Sequence, residues 1–173
     1  MNTDYAVLLP KDFSDDSKVW IYQSDRKFSP SEENEINLIL QRFSGDWQSH
    51  GTPVKGFGKV LHSRFVVLIA DESATGVSGC STDSSVRLIK QLEQQFNVKL
   101  FDWQSLAFLV KGEIVLVPLN GLQAAIDDGF IRPETPFFNN TLQDLVTLKS
   151  GWLVPAENSW LIKKARFTIP MRK

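Results

Sequence analysis

The sequence predicts an α+β domain of ferredoxin-like type, with elements in the order β-α-β-β-α-β, an extra strand after them and a C-terminal extension. Three observations carry that reading. Residues 29–32 (SPSE) are a complete helix-start signal and precede a single apolar helical face. Residues 65–71 (FVVLIAD) are apolar on both faces, as a central strand is. Residues 84–96 place apolar side chains at helical spacing directly after a small-residue loop, 72–82. The chain is organised around this strand, loop and helix, which together span residues 64–96.

The other elements follow in order. Residues 1–17 read as an irregular lead-in with a short apolar contact through Val7, Leu8 and Leu9. Residues 18–24 (KVWIYQS) are β-branched and aromatic, hence a strand, with Trp20 and Tyr22 on one side and Val19 and Ile21 on the other. Ser29 caps the first helix, Pro30 takes its first position, and Glu32 completes a capping box. Ile36, Ile39, Leu40, Phe43 and Trp47 make its apolar face, and the helix is expected to end near Ser44-Gly45. Residues 54–62 form the next strand, where Gly56 and Gly58 mark a bulge or a close backbone approach. Ser81, Thr82 or Asp83 caps the second helix, whose buried face is Val86, Ile89, Leu92 or Glu93, and Phe96. Residues 106–110 and 114–119 form a hairpin around Lys111-Gly112-Glu113. Beyond lie a short helix at 121–128, an irregular stretch at 131–140 and an apolar end containing Trp152, Val154, Trp160, Leu161 and Ile162. With no repeat and no low-complexity linker, 1–173 is expected to be one domain, with a core over about 18–120 and an extension over about 121–173. Two helices would cover one sheet face, leaving the other for the extension or a partner.

Composition excludes several classes. Lys and Arg number 19 against 20 Asp and Glu, so the surface is near neutral. A dedicated duplex-binding protein draws its affinity from phosphate neutralisation, so no nucleic-acid partner is expected. Lys163, Lys164, Arg166, Arg172 and Lys173 cluster at the C-terminus, either as a local basic patch or, as short charge runs usually are, as a solvated face. One cysteine excludes an internal disulfide and any zinc site built on several thiolates. The longest apolar run, 65–70, falls far short of the roughly 20 residues a membrane helix needs. With no basic leader at the N-terminus, a cytoplasmic protein without a membrane partner is expected. The sequence names no cofactor and no metal site.

The lone cysteine, Cys80, sits between Gly79 and Ser81, just before a predicted helix. A helix N-terminus lowers a thiol pKa and makes the thiolate nucleophilic. Gly79, Ser81, Thr82 and Asp83 would supply amides and hydroxyls to a small molecule or anion there. The competing reading makes Cys80 a small buried residue filling the gap between helix and sheet. In the expected topology the start of the second strand meets the end of the third. His50, Asp71 and Cys80 then converge on one edge, with His62 at the opposite end. That set admits Cys80 as nucleophile, His50 as base and Asp71 as its orienter. It equally admits a loop-fixing cluster, with Asp71 accepting loop amides and His50 bonding a carbonyl. A metal held by His50, Asp71 and Asp83 lacks tight ligand spacing.

Three activities are excluded by spacing. A phosphatase-type phosphate loop needs Cys, five residues and Arg, whereas Arg87 is displaced by one position. No Gly-x-x-x-x-Gly-Lys-Ser/Thr string occurs. Gly56-Phe57-Gly58 lacks the third glycine of a dinucleotide fingerprint. Trp20, Tyr22 and Phe57 outline an aromatic platform like that of RNA-binding sheets, without their basic, glycine-rich signature; they are expected to pack beneath the C-terminal segment.

The strings VWIYQSDRKFSPSEENEI, WQSHG and VVLIADESATGVSGCSTDSSVRLIKQLEQQF resemble a family of short uncharacterised bacterial proteins, some labelled ABC transporter ATPase. The resemblance covers residues 18–120 and, more loosely, the tail with VPAENSW; it is strongest at SGCSTDSSV. It implies no assigned activity and transfers no catalytic role. An ATPase of that kind needs a phosphate loop, which is missing, and a carboxylate pair at a strand end, of which Asp71-Glu72 is the only hint. The expectation is therefore a domain that binds a small ligand or a protein through its His50–Asp71–Cys80 edge. The alternatives are a thiol-dependent hydrolase or transferase using Cys80, and a structural module pairing with its twin as a homodimer.

Overall fold

In a computed structural model the chain is described over residues 4–49, 51–71 and 79–167. The strands are β1 (Lys18–Gln23), β2 (Gln48–Ser49), β3 (Thr52–Pro53), β4 (Lys55–Leu61), β5 (Phe65–Asp71), β6 (Ser105–Val110), β7 (Glu113–Pro118), β8 (Pro136–Phe138) and β9 (Leu153–Pro155). The α-helices are α1 (Pro30–Asp46), α2 (Gly79–Phe96), α3 (Leu122–Asp127) and α4 (Leu145–Gly151). The fold is α+β, with all strand pairing antiparallel within its sheets.

The chain divides into two compact units, one of Asp4–Asp102 with Asn140–Ser150, the other of Trp103–Asn139 with the segment from Gly151 onward. The first unit is built on a three-stranded sheet in the order β1-β5-β4. All seven residues of β5 are buried, six of them the unbroken apolar run 65–70 and the seventh Asp71. Ser29 accepts from the Glu32 amide, and Glu32 returns a carboxylate oxygen to the Ser29 amide, so the predicted capping box forms. α1 then runs to Asp46 and buries Ile36 and Leu40. Leu88, Ile89, Leu92 and Phe96 bury the facing stripe of α2. Both helices share one core with Tyr22, Val60, Val66 and Leu68, and Trp20 packs against it. Trp20 and Tyr22 therefore lie beneath the helices, which corrects the expectation that the C-terminal segment covers them. Phe57 is one residue out of phase with Gly56 and Gly58, the β4 positions that meet α1, so it points to the opposite face. That parity breaks the suggested aromatic platform.

Two expectations are corrected. α2 begins at Gly79, so Cys80 lies inside the helix rather than before it, and Ser81, Thr82 and Asp83 are helical residues rather than caps. These small polar residues are weak helix formers. Tertiary bonds override that preference: Ser84 receives the Trp47 indole, and Ser85 bonds the Tyr22 hydroxyl. The second correction concerns topology. A ferredoxin-like sheet would place the strand after α2 in the same sheet as β1. Here β6 belongs to a separate sheet in the order β7-β6-β8-β9. β8 draws β6 there by pairing Phe108 with Phe137, their rings 5.3 Å apart.

That second sheet starts from the predicted hairpin, with a turn one residue shorter than expected. Lys111 (φ 51°) and Gly112 (φ 82°) alone form it, the doubly left-handed geometry that matches strand twist. Leu106, Phe108, Val117, Leu122, Ile126, Phe137 and Leu161 pack into the second unit's core. The stretch expected to be irregular at 131–140 contains β8. Residues 140–150 return to the first unit, where the Leu145 amide donates to the Ser17 carbonyl and Leu145 and Leu148 are fully buried. Among the described residues no helix is long and apolar enough to cross a membrane.

Candidate functional site

Asp71 ends β5 and pairs in register with Lys55, so the start of the second major strand meets the end of the third, as expected. Its side chain is buried at 6% exposure. Its Oδ2 accepts the Ser14 amide at 3.1 Å and lies 3.8 Å from the Lys55 ammonium. Lys55 also reaches the Asp12 carboxylate at 2.9 Å, bonds the Asp12 carbonyl, and sits 4.6 Å above the Phe13 ring. The hydrogen bond from Lys55 holds the Asp12 carboxyl below its usual range. Residues 12–14 are thereby pinned to the end of the sheet.

Of the other predicted site residues, His50 lies outside the described residues. So do the side chains of Cys80, Ser81 and Thr82, whose backbone forms the start of α2 with that of Gly79. Asp83 is exposed on α2. His62 occupies the β4–β5 turn at the opposite end from Asp71, as expected, with φ 52° and a pKa pushed down by burial. Among the described residues no three His, Cys, Asp or Glu side chains converge as metal ligands.

A second feature arises where α1 crosses β4. A Cβ on Gly56 would stand 2.9 Å from the Trp47 ring and 3.1 Å from the Ser44 carbonyl. A Cβ on Gly58 would stand 3.0 Å from Leu40 Cβ, 3.1 Å from Leu68 and 3.2 Å from Ser44 Oγ. The Asn37 side chain accepts the Val60 amide at 2.8 Å. The steps 37, 40, 44 and 47 along the helix thus run against 60, 58, 56 and 54 along the strand. The two glycines mark a close backbone approach and not a bulge, because β4 pairs with β5 without interruption from Lys55 to Leu61.

That approach leaves an open groove of about 530 Å³, lined by Asn37, Gln41 and Ser44 from α1 and by Gly56, Phe57, Gly58 and Lys59 from β4. β4 is the edge of its sheet. The Val60–Asn37 bond sets the phase of that edge. Alternate residues of a strand direct their amides the same way, so the Gly56 and Gly58 amides also point away from β5. Ser44 Oγ is buried beside Gly58 with no hydrogen-bond partner among the described residues. A buried hydroxyl without a partner is uncommon and costs about 1–3 kcal/mol when nothing satisfies it. Donors and acceptors from backbone, amide and hydroxyl groups converge here, which suits a small polar guest. Sequence reasoning missed Asn37, Gln41 and Ser44, which stand outside the apolar set Ile36, Ile39, Leu40, Phe43 and Trp47 of α1. The Gly-x-Gly pair inside a strand was the signal that marked their neighbour.

Fold and groove together define an α+β protein with a polar cleft along a sheet edge. No family model, no curated protein and no solved structure matches the chain.

Proposed function

We propose that this protein is a binding domain for a small polar ligand, seated in the α1–β4 groove next to the Lys55–Asp71 end of the sheet. The observation that carries this reading is the buried, unpartnered Ser44 hydroxyl between two strand glycines. The outward Gly56 and Gly58 amides and the Gln41 side chain supply the complementary donors. A cytoplasmic site of action fits a chain with one cysteine and no internal disulfide.

The test is a melting-temperature screen against inorganic phosphate, nucleotides, sugar phosphates and free amino acids, since a ligand that binds only the native state raises Tm. At least one class is expected to raise Tm, to move the Gly56 and Gly58 amide resonances, and to lose its effect in Gln41→Ala and Ser44→Ala. A flat screen, or a shift that both variants retain, overturns the proposal.

A further inference from the structure

Every open sheet has edges, and a bare edge is a template for another strand. Among the described residues the β2–β3 pair is only two residues long, and three of the four edges of the two larger sheets are blunted. The outer side of β1 is occupied by the Val19 amide bonding the Gln143 carbonyl, by a bridge between Lys18 and Asp144, and by one between Gln23 and Phe101. β4 carries Lys55 and Lys59 and has its Val60 amide capped by Asn37. β9 is three residues long and ends in Pro155. The fourth edge, β7, reads EIVLVP and has none of these devices over its central residues.

The phase of β7 follows from its turn. A two-residue hairpin closes on a hydrogen-bonded pair, here Val110 with Glu113, and pairing then alternates along the ladder. Glu113, Val115 and Val117 therefore bond β6, while the amides and carbonyls of Ile114 and Leu116 point outward. Pro118 falls on a non-bonded position, which is the one its missing N–H requires. Among the described residues no hydrogen bond is made by the outward groups of Ile114 or Leu116. The side chains of Ile114, Val115 and Leu116 are all half-buried, so the strand offers partly covered apolar surface on both faces.

We infer that β7 pairs antiparallel with β7 of a second copy about a two-fold axis at Val115. In that register Ile114 lies opposite the partner's Leu116, and the two exchange backbone hydrogen bonds on each side of the axis. Val115 meets its own counterpart at a non-bonded position. Glu113, the only charge on the strand, lies opposite the partner's Val117, so no like charges oppose one another. The same operation on β4 about Phe57 would set Lys55 against Lys59 and compete with Asn37 for Val60. Charge and backbone phase thus select β7 and a second copy of this chain. The two four-stranded sheets then become one continuous sheet, and the interface is isologous.

The test uses the full chain in sedimentation velocity across a dilution series, together with two register probes. The expected result is a reversible monomer–dimer equilibrium and no larger species. Ile114→Pro removes an outward N–H that the β6 ladder does not use, so the expected product is a folded monomer with an unchanged circular dichroism spectrum. On a Cys80→Ser background, Val115→Cys places two thiols across the axis, where Cα atoms stand about 4.5 Å apart, and is expected to crosslink on mild oxidation. Ile114→Cys, opposite a leucine, is expected not to crosslink. A monomer at every concentration overturns the inference. So does a dimer indifferent to Ile114→Pro, an open-ended oligomer, or crosslinking at 114 in preference to 115.

Discussion

The indole Nε1 of Trp47 donates to the Ser84 hydroxyl at 3.0 Å, joining the residue that ends α1 to the first turns of α2. Trp47 is itself buried, its ring 4.9 Å from Phe43 and 5.8 Å from Trp20. The bond therefore holds the start of α2 against a rigid aromatic cluster. In a double-mutant cycle of Trp47→Phe and Ser84→Ala, followed by urea unfolding, the coupling is expected at about 1 kcal/mol, the net worth of one neutral hydrogen bond. A coupling near zero would mean that α2 is positioned by its apolar face alone.

Two glycines in neighbouring elements are expected to respond in opposite directions to the same substitution. Gly58→Ala drives a methyl toward the Leu40 Cβ and Leu68 across a close helix–strand contact. Overpacking of that kind costs about 1–3 kcal/mol. Gly45 lies within α1, has a negative φ, and has nothing within 4 Å of an added Cβ. Gly45→Ala should stabilise by about 0.5–1 kcal/mol through helix propensity. Chemical denaturation of the two variants checks both signs, and equal effects would remove the close-approach account of β4.

The Glu32 carboxyl is held down at about 2 from an ordinary 4.5, first by its hydrogen bond with Arg26 and then by the Ser29 amide. A depressed folded-state pKa makes the contribution fully present above the unfolded value and lost as pH falls through the folded one. The stability advantage over Glu32→Gln is therefore expected to be constant above roughly pH 5. It should shrink between about pH 4.5 and pH 2 and be gone below that. Unfolding midpoints measured across this range check the sign, and an advantage that persists at pH 2 would contradict the Arg26 pairing.

Much of the local structure was legible in the sequence because its causes are local. The Ser29-Pro30-Ser31-Glu32 cap needs only side chains within one turn. The unbroken apolar run of β5 needs only burial on both faces. The Lys111-Gly112 turn follows from one glycine between two alternating apolar runs, and the register places Glu113 in the strand rather than in the turn. The candidate site was harder to read. Asp71 and His62 fall at opposite ends of the β4–β5 pair because antiparallel register follows from a short connection. The groove was not legible, because Asn37, Gln41 and Ser44 gain meaning only when β4 lies alongside them.

The sequence by itself determined that this is an α+β protein, where most of its helices and strands lie, and which faces they bury, since each depends on periodicity and on contacts a few residues apart. Only the tertiary structure decided that β6 leaves the first sheet, that Gly56 and Gly58 admit a helix, and that β7 keeps an unblunted edge. Those outcomes rest on competition between partners far apart in sequence, such as Phe108 with Phe137 or Asn37 with Val60. A strand's own pattern states which face is apolar; it does not state which other strand will lie beside it.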